Sequence, residues 1–370
     1  MTTYKEYNYP IAMTMQFKHC GNPFRVDTYK GCDFGCVYCF ANCRGGKFDK
    51  DFRVGNLKII RNYFKEAFDD CCETSKLTVE MLRHRVPLHL GGLSDPLQNR
   101  EFDIGLTYEF LKLTKEYDYP VLISTKQSRL ADKYWDVLDP KLHAFQISLI
   151  SLNEDFIRRF ETNTPSPSER VAFIKELKSR GFWVGIRLQP LIDINEAVQL
   201  VEELSGTVDY ITVEHIKIGN DNANKHIMFE KMGLHPRDFY SSGREYEIFT
   251  DLKRKNIEVL KSVSKCPIGC GDNDLHELSD SNNCCGIDTI NENFSSWIKY
   301  NSMYIKKTND RNQWYPKCNC ANFVNGDCRV RGYTFMDYVE DYISKPISGG
   351  RCKAYVEDSK FKAVQLSLFD

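Results

Sequence analysis

The sequence lacks any apolar run approaching the roughly 18 residues that a membrane-crossing helix needs, and no part of its 370 residues forms a tandem repeat or a low-complexity stretch. It also lacks an excess of either charge. Lys and Arg number 50 against 51 Asp and Glu, for a formal net charge of -1. A chain so balanced is not a general polyanion binder, so any nucleic-acid contact must come from a local patch or an adaptor. The basic run Lys253-Arg254-Lys255 reads as a solvated helix face. The first ten residues are polar and aromatic, without the apolar core of an export signal. These absences lead us to expect a cytoplasmic protein with no membrane span.

Cysteine is missing from most of the chain. Of 15 cysteines, seven precede residue 73, none lies between Glu73 and Lys265, and eight follow. In a reducing compartment so many thiols point to metal or redox chemistry, not to a disulfide framework.

The cysteine-free middle alternates strand and helix signals. Strand-like apolar runs are Leu88–Gly92, Val121–Thr125, Ala144–Ile150, Trp183–Leu188 and Tyr210–His215. Amphipathic stretches Ile104–Tyr117, Ser168–Arg180 and Ile194–Leu204 lie between them. In the second, Val171, Ile174 and Leu177 recur at helical spacing, Pro167 and Ser168 suit a helix start, and Gly181 suits a stop. Repeated β-α units imply a parallel sheet with right-handed crossovers. Five or six units are too few to close an eight-stranded barrel. The expectation is an α/β fold, a partial TIM-like barrel, with its chemistry at the carboxyl ends of the strands.

The expected division is an N-terminal extension (1–23), the barrel (24–262), a small cysteine-rich metal-binding module (263–345) and a mobile tail (346–370).

After a strand-like segment, Phe24–Thr28, the chain reads Tyr29-Lys30-Gly31-Cys32-Asp33-Phe34-Gly35-Cys36-Val37-Tyr38-Cys39-Phe40. Thiolates are the natural ligands of iron–sulfur clusters, and four normally serve four irons. Three in one tight loop leave one iron open unless Cys43 or a distant group fills it. An open iron can chelate a small molecule through an amine and a carboxylate. Zinc prefers four ligands in paired sets and fits this spacing poorly.

This motif resembles the signature of the radical S-adenosylmethionine (SAM) superfamily, and the longer stretch resembles its spore photoproduct lyase-like branch. Gly91-Gly92-Leu93-Ser94-Asp95-Pro96, Ser124-Thr125-Lys126, Ile147-Ser148, Thr164 to Arg170 and Arg187 to Pro190 resemble later segments of that branch, in order, over about residues 24 to 215. The resemblance implies a partial (β/α)6 barrel, a [4Fe–4S] cluster on Cys32, Cys36 and Cys39, and reductive cleavage of SAM to a 5′-deoxyadenosyl radical. It places Tyr38 near the adenine, Gly91, Gly92 and Ser94 beside the methionine portion, and Lys126, Ser148 and Arg187 as polar SAM contacts. It also implies an electron donor such as flavodoxin or ferredoxin. One departure is plain. In the photoproduct lyases themselves a hydrogen-donor cysteine is expected just before the Ser-Asp pair, where this chain has Gly92 and Leu93. That puts photoproduct repair itself in doubt and leaves Cys43 as the candidate hydrogen donor.

Near the other end, Cys266, Cys270, Cys284, Cys285, Cys318, Cys320 and Cys328 are candidates for a second site. They could hold another iron–sulfur cluster or a structural zinc, with Asp272 and His276 as further ligands. The chain ends Gln365-Leu366-Ser367-Leu368-Phe369-Asp370. This resembles the peptide that binds the bacterial DNA sliding clamp, with Leu366, Leu368 and Phe369 filling an apolar groove and Gln365 fixing orientation. Clamp delivery would reconcile a near-neutral enzyme with a DNA substrate. The leading expectation is therefore a radical SAM enzyme acting on DNA, in lesion repair or nucleotide modification. The competing readings are a radical SAM enzyme modifying tRNA or a peptide, and a non-catalytic iron–sulfur DNA-associated adaptor.

Overall fold

The computed structural model describes residues 4–13, 22–39, 41, 52–69, 77–219, 229–230, 233–241, 245–272, 274–281 and 283–294. Its strands are β1 (Glu6–Tyr7), β2 (Ile11–Met13), β3 (Phe24–Val26), β4 (Tyr29–Lys30), β5 (Arg53–Gly55), β6 (Leu88–Leu90), β7 (Val121–Thr125), β8 (His143–Ser148), β9 (Val184–Leu191), β10 (Tyr210–His215), β11 (Lys217–Gly219), β12 (Phe239–Ser241), β13 (Glu245–Ile248) and β14 (Ile268–Cys270).

One eight-stranded sheet runs in the order β14-β10-β9-β8-β7-β6-β3-β2. Every neighbouring pair from β3 through β14 is parallel. Only β2 is antiparallel, at the edge beside β3. Strands thus join the sheet in chain order, with α-helices on every parallel return except β7 to β8, which passes through a 3-10 turn at Asp132–Asp136, and this is the expected partial barrel. Two three-stranded sheets flank it, β1-β5-β4 and β11-β13-β12.

The outer helices form where the apolar stripe predicts. Helix Ile194–Leu204 buries Ala197, Leu200, Val201 and Leu204, and the Asp193 side chain caps its first turn. Helix Pro167–Ser179 begins one residue earlier than expected. Ser166 is its N-cap, in a reciprocal capping box with Glu169. Its buried face is Pro167, Arg170, Phe173, Ile174 and Leu177, so Arg170 takes the core place expected of Val171. Gly181 follows with φ +84°, the left-handed stop that was anticipated.

Side chains that face inward lie in layers. At the amino ends of the strands, Leu122, Ala144, Trp183 and Tyr210 pack with Cys285, Ile287 and Phe294 as a second apolar cluster. Two residues further along β7, β8 and β10 come Ser124, Gln146 and Thr212, so strand alternation puts a polar layer above the apolar one.

Two expectations change here. The cysteine-rich segment does not start apart from the barrel, because Ile268–Cys270 pair with Ile211–Val213 as its last parallel strand. The run at Lys253 is not wholly solvated either. The Lys253 side chain is buried, 2.7 Å from Asp274 and 3.5 Å from Glu247, because its long stem crosses from helix Thr250–Val263 to those carboxylates.

Candidate active site

The three-cysteine loop leaves β4 at the carboxyl end of the sheet, and neighbouring segments pin it from both sides. Gly31 and Gly35 adopt φ values of +92° and +64°, which let the loop reverse tightly around its sulfurs. The Gln98 side chain accepts from Asp33 N–H and donates to Gly31 C=O, each at 3.1 Å. In return the Asp33 carboxylate accepts from the N–H groups of Asn99 (3.2 Å) and Arg100 (3.1 Å). On the opposite side Val37 N–H donates to Phe160 C=O at 2.8 Å, and Asn163 N–H to Phe34 C=O at 3.1 Å.

The Ser-Asp-Pro segment after β6 is a brace. The Asp95 carboxylate accepts from Thr125 Oγ1 (2.7 Å), Lys126 N–H (2.6 Å) and Leu97 N–H (2.9 Å). Buried Ser94 donates its hydroxyl to Tyr29 C=O. That hydroxyl, expected beside the methionine portion of SAM, gives its proton to the strand–loop junction. Gly91 has φ +97°, and a Cβ there would sit 2.5 Å from Ser124 O and 2.7 Å from Pro96 Cδ. Only glycine lets the backbone pass at that point.

Behind the loop is a buried charge cluster that sequence reasoning missed in part. Glu161 receives the Tyr38 hydroxyl on Oε1 and the Arg170 guanidinium on Oε2, and Lys126 Nζ lies 3.6 Å from Oε1. The side chains of Glu161 and Arg170 are both fully buried. Arg170 also donates to Ser148 C=O at 2.9 Å and Pro165 C=O at 3.0 Å. Burial acts to raise the Glu161 pKa, but Lys126 and Arg170 outweigh it and hold the carboxyl below its usual range. Lys126 also lies 5.4 Å over the Tyr38 ring. Arg170 left a signal, an arginine in the apolar stripe of its helix. Glu161 left none.

Deeper in the barrel, Arg187 bridges His89 and Ser124, each at 3.3 Å, while His89 Nε2 and Ser124 Oγ are 2.8 Å apart. Arg187 was expected beside SAM with Lys126 and Ser148. Arg187 stands in register with Ser148 on β8, and its side chain reaches down to Ser124, two residues before Lys126. Gly92 and Ser148 are half-buried at the rim.

The loop thiols suit a polynuclear cluster. Burial chiefly drives the Cys32 pKa up, and it pushes Cys36 up to about 12. Without a positive metal centre these groups stay protonated, whereas ligation to iron deprotonates a thiol. Among the described residues no three His, Cys, Asp or Glu side chains close on a point that would hold a single metal ion. A cubane presents its irons at separate corners, so its thiolate ligands need not converge on a single point.

The same observation bears on the C-terminal cysteines. Cys266 sits 3.8 Å from Ser264 Oγ, Cys270 3.8 Å from Asp272, and Cys285 3.1 Å from Asn283. Asp272 is committed to His215 at 2.7 Å. Cys284 hydrogen-bonds with Cys285 and lies near enough to Cys270 to act on its thiol, but among the described residues no three of these side chains close on one point. Cys43, Cys318, Cys320, Cys328 and the tail residues Gln365, Leu366, Leu368 and Phe369 lie outside the described residues. No described helix is long and apolar enough to cross a membrane.

Residues 26–204 match the Radical SAM superfamily family model. Among solved structures, a spore photoproduct lyase complexed with dinucleoside spore photoproduct is similar at 16% identity and a TM-score of 0.50, over 70% of this chain and 78% of that one. A variant of that lyase gives 16% identity and a TM-score of 0.51 over the same shares. SuiB of Streptococcus suis gives 14% identity and a TM-score of 0.44, over 73% of this chain and 49% of its own. At such identities the lyase likeness is one of fold. No curated protein matches by sequence.

Proposed function

Since residues 26–204 belong to the radical SAM superfamily, we propose that this radical SAM enzyme acts on DNA, as a lesion-repair or nucleotide-modifying enzyme, with its cluster on Cys32, Cys36 and Cys39. The observation that carries the cluster assignment is the three-cysteine loop, clamped by Gln98, Asp33 and Asn163 over the carboxyl ends of a parallel barrel. Bound there, a [4Fe–4S] centre would supply the electron that cleaves SAM to methionine and a 5′-deoxyadenosyl radical.

The chain's own residues shape what surrounds that chemistry. Gly91 and Gly92 let the backbone approach a ligand closely at the end of β6. Tyr38 offers an aromatic edge, held in orientation by Glu161. Lys126 and Ser148 line the rim as polar contacts for SAM. The Cys43 thiol is the proposed hydrogen donor.

The DNA reading rests on the fold shared with a lyase that was solved with a dinucleoside lesion, and on the clamp-like tail at residues 365–370. The tail would bring a chain of net charge -1 to DNA through the sliding clamp. A flavodoxin or ferredoxin would supply the electron. To test this, the reduced, reconstituted enzyme is incubated with SAM in deuterated water, with irradiated DNA, plain DNA or tRNA, and the nucleosides are weighed by mass spectrometry. A mass change confined to DNA supports the reading. A change confined to tRNA, or none in either nucleic acid while a peptide is altered, overturns it.

A further inference from the structure

Among the described residues, three of the cations on the sheet's strands and the turns that follow them have a carboxylate partner. Lys126 lies 3.6 Å from Glu161, Lys217 2.6 Å from Glu214, and Arg25 3.5 Å from Asp27. Arg187 has no carboxylate partner among the described residues. Its Nη1 donates to neutral His89 and Ser124, and its Nη2 to the amide oxygen of Gln189. A guanidinium carries five N–H donors, so Nε–H and one Nη2 hydrogen are left without a described partner. The side chain is half-buried, which makes an unbalanced charge costly unless an anion arrives to meet it.

Arg25 shares this region from the β3 side. Its stem lies against Gly92, where an added Cβ would come within 3.2 Å of Arg25 Cδ. Its Nε is buried and has no hydrogen-bond partner. Burial first, then the charges of Arg187 and Arg25, pushes the His89 pKa down to about 3. The imidazole is thus neutral between two guanidiniums, and it neither repels nor neutralises an incoming anion.

We propose that Arg187, which reaches down to the Ser124 layer, together with Arg25 on β3, forms a subsite for the phosphodiester of a nucleic-acid substrate. A planar guanidinium with N–H groups to spare matches two non-bridging phosphate oxygens. Two guanidiniums flanking His89 match the two non-bridging oxygens of a phosphodiester. The inference rests on the nucleic-acid reading above and adds where the backbone sits.

The test compares binding of thymidylyl-(3′→5′)-thymidine with its uncharged methylphosphonate analogue, using the reconstituted holoenzyme and its Arg187→Met, Arg187→Lys and Arg25→Gln variants. Circular dichroism confirms that each variant is folded. The wild type should prefer the charged linkage by about tenfold or more, the size of one charge-assisted contact. Arg187→Met should remove that preference, Arg187→Lys should keep part of it, and Arg25→Gln should reduce it. Equal binding of both dinucleotides by the wild type overturns the subsite, as does a preference that survives in Arg187→Met. Loss of SAM binding in Arg187→Met with the dinucleotide preference intact would assign the residue to the cofactor and equally overturn it. If neither dinucleotide binds but an acetylated dipeptide carboxylate does, in an Arg187-dependent way, the nucleic-acid reading itself fails.

Discussion

Glu161 and Arg170, nine residues apart, form a fully buried ion pair at the foot of the cysteine loop. The same carboxylate holds the Tyr38 hydroxyl and faces Lys126 at 3.6 Å. One acidic group therefore ties together the loop after β4, the end of β7 and the helix after β8. Its loss should be felt in stability and in the cysteine loop alike.

Glu161→Gln is expected to destabilise the protein by roughly 3 kcal/mol, the usual size of breaking a buried pair from one side. Arg170→Met should cost a similar amount. The double variant should cost clearly less than both together, since neither leaves the other's charge uncompensated. Urea denaturation of the three variants measures this, and strict additivity would refute the pairing.

The same carboxylate gives an acid-side prediction. The Glu161 pKa is lowered on folding, so its contribution is complete above the ordinary glutamate range and fades as pH falls through that range and below. His143 acts at higher pH. It is buried, accepts the Asp139 N–H at 2.9 Å, and burial chiefly pushes its pKa down to about 4. The unfolded chain therefore takes up a proton that the fold excludes, and stability falls as pH drops from about 6.5 towards 4. The loss from this group is on the order of 3 kcal/mol at most. His143→Gln should flatten the urea-midpoint profile across that window, and an unchanged slope would contradict the account.

Gly91→Ala should cost roughly 1–3 kcal/mol, because it strains a residue at φ +97° and drives a methyl to 2.5 Å from Ser124 O. It should also weaken SAM binding, read by equilibrium dialysis. Full SAM affinity in a folded Gly91→Ala protein would remove that segment from the proposed cofactor site.

Deleting residues 365–370 should abolish co-elution with the sliding clamp and leave the melting temperature within error of the full chain. Retained co-elution would dispose of the tail proposal.

The barrel was readable because its signals are local. Period-two and period-3.6 patterns set the strands and helices, and Pro167 and Gly181 bracket one helix within a few residues of its ends. The cysteine loop was readable because its three sulfurs lie within eight residues of chain. What escaped depends on residues distant in sequence. Nothing near Ile268 says that it will pair with Ile211, and nothing near Cys285 says that it will fill the barrel floor beside Leu122. Glu161 looks like an ordinary surface glutamate until Arg170 and Lys126 converge on it. Arg187 was placed by its motif, but its reach across the barrel to His89 is a tertiary fact.

The account stands on a cubane at Cys32, Cys36 and Cys39 with one iron left for SAM. The most direct measurement is electron paramagnetic resonance of the dithionite-reduced, reconstituted protein before and after SAM is added. The expected result is a [4Fe–4S]+ signal whose g-values shift with SAM, and no such signal from this loop in Cys36→Ala. A signal that ignores SAM, or one that survives the cysteine substitution unchanged, would contradict it.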